Sequence, residues 1–113
     1  MQLRVGMVTT DSPDPLPLAE WWAGLLGGTI TENTDGWFVV VKAAATTLAF
    51  QLVDDPTPGK NRVHLDLFTD DLAAAVVAAR SAGARQVAEL EEGGVHWFTF
   101  ADPEGNLFDV AQA

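Results

Sequence analysis

A chain of 113 residues, of which 48% are hydrophobic, is suited to one domain with a substantial core. Its 16 acidic and 6 basic residues give a formal charge of −10, which disfavours nucleic acid and anionic membranes as partners and suits solubility or a cationic ligand. The absence of cysteine excludes disulfides and thiolate chemistry, and no apolar run approaches the roughly 20 residues of a membrane span.

The first half of the chain predicts a strand, a helix and three more strands. Residues 3–10 have the alternation of a strand. Asp14 is a good N-cap before Pro15, and Gly27 is suited to the end of the helix. Turn residues then separate three predicted strands, which are residues 29–32, 37–42 and 46–53.

The second half begins with an alternating strand, in which His64 and Asp66 face away from Val63, Leu65 and Leu67. A helix follows, with acidic N-cap residues before it and a glycine after it. The remaining predicted elements are a helix start at 69–71, a helix end at Gly83, a strand reaching Val87, an acidic loop at 89–94, and strands at 95–100 and 107–111.

The two halves repeat one order of elements. Asp14 precedes Asp70, and Gly27 precedes Gly83, by the same 56 residues. We therefore predict an α+β fold of two βαβββ modules, residues 1–54 and 60–113, joined by the proline-rich and glycine-containing linker 54–60 within one domain, 1–113. The modules are expected to form a curved mixed sheet around a cleft, with both helices on the outer face.

Four segments in this order resemble the vicinal oxygen chelate superfamily, which includes glyoxalase I, extradiol dioxygenases, and fosfomycin and bleomycin resistance proteins. They are residues 21–27, 60–72, 82–85 and 102–110. The resemblance is strongest to the small glyoxalase-like members and spans nearly the whole chain. It implies the same fold and a homodimer, whereas the reaction varies widely among proteins that share this fold.

In metal-using members of that superfamily, four strands supply four ligands, two from each half. The resemblance places them at His64, Asp109, Gln51, and Met7 (or Val8 in the neighbouring register). Imidazole and carboxylate are good ligands for a divalent ion, but an amide brings no charge and a thioether prefers soft ions. The metal site is thus predicted to be degenerate, and a divalent ion held by His64, Asp109 and Gln51 is the alternative.

Each candidate also has an ordinary structural interpretation. His64 is either a ligand or general base, as suits imidazole near neutral pH, or a hydrogen-bonded strand histidine paired with a carboxylate. Asp109 is either a ligand or a carboxylate held by Arg62 or a backbone amide. Trp97 is predicted to line the ligand pocket with Met7 and Gln51, although strand parity leaves His96 and Phe98 as the other possibility for the cleft face.

These features predict a protein that binds a small organic ligand, aromatic or cationic, in its cleft. The alternative is a metal-dependent lyase, isomerase or dioxygenase of the same superfamily, and a metal-free enzyme with His64 as general base is a third. The amino terminus lacks a basic region followed by an apolar run, so we expect a cytoplasmic protein. The superfamily resemblance implies a homodimer, and the acidic charge predicts that neither nucleic acid nor membranes are partners.

Overall fold

A computed structural model of the chain describes residue 2, residues 4–59 and residues 61–113. Leu3 in the first predicted strand and Lys60 at the end of the predicted linker lie outside the described residues. The chain divides into two compact units, Met1–Thr57 and Pro58–Ala113, called here the first and second unit. No helix among the described residues is long and apolar enough to cross a membrane.

The first unit is a βαβββ module with one four-stranded mixed sheet. Its elements are β1 (Val8–Ser12), α1 (Pro15–Leu26), β2 (Thr29–Thr34), β3 (Phe38–Ala43) and β4 (Thr46–Leu52). The strand order is β1-β4-β3-β2, and β1 runs parallel to β4. The first strand begins and ends later than predicted, because Asp11 and Ser12 continue the pairing with β4 instead of forming a loop.

Helix α1 begins and ends where proline and glycine allow. Pro15 stands at its start, and Gly27 takes a left-handed φ of 66° at its end. Asp14 is the N-cap residue, but its side chain makes no capping hydrogen bond. The buried side chains Leu18 and Trp22 give the helix the apolar face that its contacts with β3 and β4 cover.

The β2–β3 hairpin closes through the three residues 35–37, because Thr34 pairs with Phe38. Asp35 and Gly36 both have positive φ, and the Trp37 amide donates to the Thr34 carbonyl across 3.0 Å. The predicted turn at 33–36 is therefore shifted by two residues at its start. Asp35 and Gly36 supply the positive φ angles that reverse the chain, so β2 continues to Thr34.

The second unit repeats the module. Its elements are β5 (Leu65–Thr69), α2 (Leu72–Ser81), β6 (Arg85–Glu92), β7 (Val95–Ala101) and β8 (Leu107–Gln112). The strand order is β5-β8-β7-β6, again with a parallel pair, β5 and β8, at one edge. The prediction of an α+β fold with two βαβββ modules is confirmed.

One element of the second unit was predicted wrongly. The acidic segment 89–94 is a loop only at Gly93 and Gly94, because β6 continues to Glu92 and pairs with β7 as far as Val95. Strand β6 lies at the edge of its sheet. Charged side chains are tolerated on an edge strand, where they disfavour pairing with other chains, so acidic composition there does not indicate a loop.

Candidate functional site

Three polar side chains share one face of the second unit's sheet. Asp66 on β5 stands beside Asp109 on β8, and Thr99 on β7 stands beside Asp109 from the other side. Residues paired across adjacent strands project to the same face. Trp97 lies two residues before Thr99 on the same strand and therefore also projects to this face. We call this side of the sheet, which carries Asp66, Trp97, Thr99 and Asp109, the carboxylate face.

The opposite face of this sheet is apolar. Phe100 and Phe108 pack with ring centroids 5.8 Å apart and are fully buried, and Val110 is nearly so. Helix α2 contacts β8, and its own buried side chains, Val76 and Ala79, are apolar. Burial of apolar area favours this pairing, so the helix covers the apolar face and leaves the carboxylate face uncovered by α2.

His64 is positioned by the residues just before β5. Asn61 accepts a hydrogen bond from the Leu107 amide at 2.9 Å and donates to the carbonyls of Leu107 and Val63. This side chain ties the segment before β5 to the start of β8. His64, one residue before β5, is thereby held beside the parallel pair of strands that carries both aspartates.

The imidazole of His64 contacts both carboxylates through one atom. Its Nε2 lies 3.2 Å from Asp66 Oδ1 and 3.4 Å from Asp109 Oδ2. The other oxygen of Asp109 accepts a hydrogen bond of 2.6 Å from Thr99 Oγ1. Asp109 is thus held by Thr99 and His64, and no ion pair between Asp109 and Arg62 is present among the described residues.

The side chains of His64, Asp66 and Asp109 are accessible to solutes. The side chain of Asp109 is 21% exposed, whereas those of His64 and Asp66 are 47% and 54% exposed. Ion pairs at this exposure contribute little to the stability of a fold because water screens them. The three side chains are therefore available to a ligand at small cost to folding.

The donor set also fits a divalent metal ion. One ligand atom from each of His64, Asp66 and Asp109 lies within 4.8 Å of the others, the one such group among the residues that the structure describes. Imidazole nitrogen with carboxylate oxygen is the combination that Zn²⁺, Co²⁺, Ni²⁺ and Mn²⁺ accept.

The first unit has different residues at the equivalent places. Met7 precedes β1 as His64 precedes β5, and Thr9 pairs with Ala49 as Asp66 pairs with Asp109. Ala49 is fully buried and has no donor side chain. The internal register thus matches Ala49 to Asp109.

Gln51 lies two residues beyond Ala49 on β4, beside Asp11 of β1, and is exposed. By the same register it corresponds to Ala111 of β8. Met7 and Gln51 both belong to the first unit, and their part in a ligand site or a metal site stays a prediction.

The aromatic residues of β7 divide between the two faces. Trp97 shares the carboxylate face and is half-buried, whereas Phe98 packs on Phe100 with centroids 6.4 Å apart on the opposite face. His96 also lies on that opposite face, where its Nε2 is 2.9 Å from Glu89 Oε2. The parity of the strand therefore places Trp97, and not His96 or Phe98, on the same face as Asp109.

Sequence reasoning did not assign Asn61, Asp66 or Thr99 to the site. Strand alternation in the sequence places Asp66 on the same face as His64, and this signal was enough to include Asp66 in the candidate site. The role of Thr99 depends on which residue of β7 faces Asp109, and that register follows from the tight turn between β7 and β8. The side chain of Asn61 bonds to backbone groups of Val63 and Leu107, so no pattern of side chains in the sequence indicates its role.

Comparisons with known proteins agree with this architecture. The model of a family described as glyoxalase-like domain matches residues 7–111. Among curated proteins, none matches the chain at a significant level of sequence similarity.

Three solved structures illustrate the likeness in fold. A glyoxalase/bleomycin resistance protein/dioxygenase family enzyme from Burkholderia phytofirmans PsJN is 19% identical, with a TM-score of 0.79 over 94% of this chain and 95% of that one. The fosfomycin resistance protein FosX from Listeria monocytogenes is 10% identical, with a TM-score of 0.82 over 100% of this chain and 95% of FosX. A bleomycin resistance determinant encoded on the transposon Tn5 is 22% identical, with a TM-score of 0.72 over 97% and 98% of the two chains. At these identities the comparison establishes the fold alone.

Proposed function

The chain belongs to the glyoxalase-like domain family, within the vicinal oxygen chelate superfamily, and we propose that it binds a small organic cation at His64, Asp66 and Asp109. The observation that carries the proposal is the convergence of two carboxylates on a single imidazole nitrogen, at 3.2 and 3.4 Å. An ammonium or amidinium group has several hydrogen-bond donors and a positive charge, which are the properties that such a group of acceptors recognises.

Two further features favour an organic cation. The formal charge of −10 attracts cations to the protein from a distance and raises their local concentration. Trp97 shares the carboxylate face with Asp109 and offers a ring on which an aromatic or cationic group can stack. An aromatic amine combines both properties, so this class is the ligand that we expect.

A thermal-shift screen followed by calorimetry tests the proposal. Benzamidine, 2-phenylethylamine, tryptamine and larger aromatic amines form the probe set. We expect at least one probe to raise the melting temperature, because a ligand that binds only the folded state stabilises it by mass action. Asp109→Asn should abolish the shift, whereas Asp70→Asn, an equal charge change at an exposed position outside the group, should retain it. Stabilisation by no probe, or equal loss in both variants, contradicts the proposal.

A metal-dependent enzyme is the second candidate, and the spacing of His64, Asp66 and Asp109 favours it specifically. A divalent ion bound there acts as a Lewis acid that polarises an oxygen of the substrate. Metal analysis of protein purified without chelators separates the candidates. Copurification of stoichiometric metal supports the enzyme, and amine binding by metal-free protein supports the binding protein.

We also propose a homodimer, in keeping with the superfamily resemblance. Strands β2 and β6 each leave one edge unpaired within their own sheets, and unpaired edges are available for association. Light scattering coupled to size-exclusion chromatography should give twice the chain mass of 12.1 kDa. A mass of one chain at micromolar concentration contradicts this proposal. A cytoplasmic location stays a prediction.

A further inference from the structure

A row of apolar side chains crosses the second unit's sheet on the carboxylate face. Phe68 on β5 is paired with Ala111 on β8, and Ala111 is paired with Trp97 on β7. Leu90 on β6 is paired with Trp97 on its other side. Residues paired across adjacent strands project to the same face, so Ala111 lies between two aromatic side chains.

The two aromatic rings of this row are accessible and are not stacked on other rings. Phe68 is 70% exposed, and Trp97 is half-buried. No aromatic ring among the described residues contacts either of them, whereas Phe98 and Phe100 stack on each other. Ala111 is only 7% exposed, as expected for a methyl group between two larger side chains. The three residues therefore form a slot with Ala111 as its floor and an aromatic ring on each side.

The width of this slot suits one aromatic ring. Strands β5 and β7 flank β8, and neighbouring strands lie about 4.8 Å apart, so β5 and β7 are separated by roughly 10 Å. Side chains stand roughly perpendicular to a sheet, so the rings of Phe68 and Trp97 keep a similar separation. A ring seated over Ala111 would have its centre about 5 Å from each of them, within the roughly 4.5–7 Å at which aromatic pairs attract. A single planar ring can therefore contact both aromatic side chains at once.

The two carboxylates lie at a fixed distance from the slot. Asp66 is two residues before Phe68 on β5, and Asp109 is two residues before Ala111 on β8, which runs parallel to β5. A strand rises about 3.3 Å per residue, so the carboxylate row and the aromatic row are roughly 6–7 Å apart. A cation held by the two carboxylates and a ring held over Ala111 would be separated by this distance along the strands.

The equivalent row of the first unit has a different composition. Asp11 on β1 is paired with Gln51 on β4, and Gln51 is paired with Phe38 on β3. This row has one aromatic ring, and a long polar side chain stands where the second unit has alanine. We therefore expect one slot per chain, in the second unit.

We propose that Phe68, Ala111 and Trp97 form an aromatic slot that selects ligands by the distance between their ring and their cationic nitrogen. The ligand class is an arylalkylamine with about three carbons between ring and nitrogen, because an extended chain of that length spans the roughly 6–7 Å between the two rows. This inference rests on the proposed function, since the slot holds the ring of the same ligand whose cation lies at Asp66 and Asp109.

Calorimetry of the full chain with a series of amines tests the selection by length. Benzylamine, 2-phenylethylamine, 3-phenylpropylamine and 4-phenylbutylamine differ only in the chain between ring and nitrogen. We expect 3-phenylpropylamine to bind most tightly and benzylamine to bind about tenfold more weakly, because its ring cannot reach the slot while its nitrogen stays at the carboxylates. The saturated analogue 3-cyclohexylpropylamine has the same charge and chain length but no π-system, and it should bind about threefold more weakly than 3-phenylpropylamine.

Two variants test the slot itself. Phe68→Ala should weaken binding of 3-phenylpropylamine by about tenfold and reduce the dependence on chain length, because one of the two ring contacts is lost. Phe68 is 70% exposed, so its removal leaves the core intact. Ala111→Leu fills the slot and should weaken binding by a similar factor. Trp37→Ala, which removes an exposed aromatic ring from the first unit, is the matched control and should change the affinity by less than about twofold. Thermal unfolding of each variant shows whether it is folded.

Three results overturn the inference. Affinity that is equal across the series, or that rises with every added carbon in the wild type and in Phe68→Ala alike, removes the selection by length. Unchanged binding in both Phe68→Ala and Ala111→Leu removes the slot, and if Asp109→Asn still abolishes binding of the same amines, the proposed function stands without it. Absence of binding by every amine of the series overturns the slot and the proposed function together.

Discussion

Thr99 Oγ1 donates a hydrogen bond of 2.6 Å to Asp109 Oδ1 from the strand directly beside it. The bond occupies one oxygen of Asp109 and leaves the other facing His64 Nε2 at 3.4 Å. A carboxylate fixed in this way is prepared for a ligand in advance, so less conformational entropy is lost when the ligand binds. The fixed orientation of the Asp109 carboxylate distinguishes the carboxylate face from an ordinary charged surface, where the side chains rotate freely.

Replacement of Asn61 should disturb the site from outside it. Asn61→Ala removes the hydrogen bonds that tie the segment before β5 to Leu107 at the start of β8. We expect a loss of about 1–2 kcal/mol in the free energy of unfolding, because the Leu107 amide loses its partner. Asn61→Asp keeps an oxygen acceptor for that amide and should lose less. Urea denaturation measures both, and equal losses would show that the accepted bond is unimportant.

Two glycines at the end of the first helix should respond in opposite ways to alanine. A Cβ at Gly28 would lie 2.8 Å from the Lys42 carbonyl oxygen and 3.0 Å from the Ala43 Cβ, so backbone must move. Gly28→Ala should destabilise the protein by about 1–3 kcal/mol. Gly24 lies within α1 with nothing within 4 Å of the added carbon, and Gly24→Ala should stabilise by about 0.5–1 kcal/mol. Thermal unfolding of the two variants measures both signs, and a stabilised Gly28→Ala protein contradicts the close packing of α1 and β3.

The N-caps of the two helices differ although both are aspartate. The Asp71 side chain accepts a hydrogen bond from the Ala74 amide at 3.1 Å, whereas the Asp14 side chain makes no capping bond. Asp71→Ala should therefore reduce the free energy of unfolding by about 1 kcal/mol, and Asp14→Ala by clearly less. Chemical denaturation of both variants measures the difference. A larger loss for Asp14→Ala would contradict the described capping.

The sequence was sufficient for the architecture because its signals are local and repeated. Acidic residues and a glycine bound each helix, and strand alternation is clear around Leu65 and Leu67. Errors arose where pairing with a neighbour decides the outcome. The acidic residues of β6 form an edge strand because β7 pairs with them, and Asp11 is in a strand because it lies beside Gln51.

The site was predictable in part for the same reason. His64 and Asp109 stood out through the family resemblance, and strand parity placed Asp66 on the face of His64. Thr99 was not predictable, since its partnership with Asp109 is set by the register of two antiparallel strands across a turn. The corresponding register in the first unit matches Ala49 to Asp109. Gln51 lies two residues further along β4, so it corresponds to Ala111.

The most direct test of the account is a map of amide chemical shifts in the isotopically labelled protein, recorded during titration with 2-phenylethylamine and benzamidine. We predict that the largest changes occur at His64, Asp66, Trp97, Thr99 and Asp109, and that Asp109→Asn removes them. Unchanged spectra with both amines, or changes centred on residues away from these five, would contradict the central claim that the carboxylate face of the second unit is the ligand site.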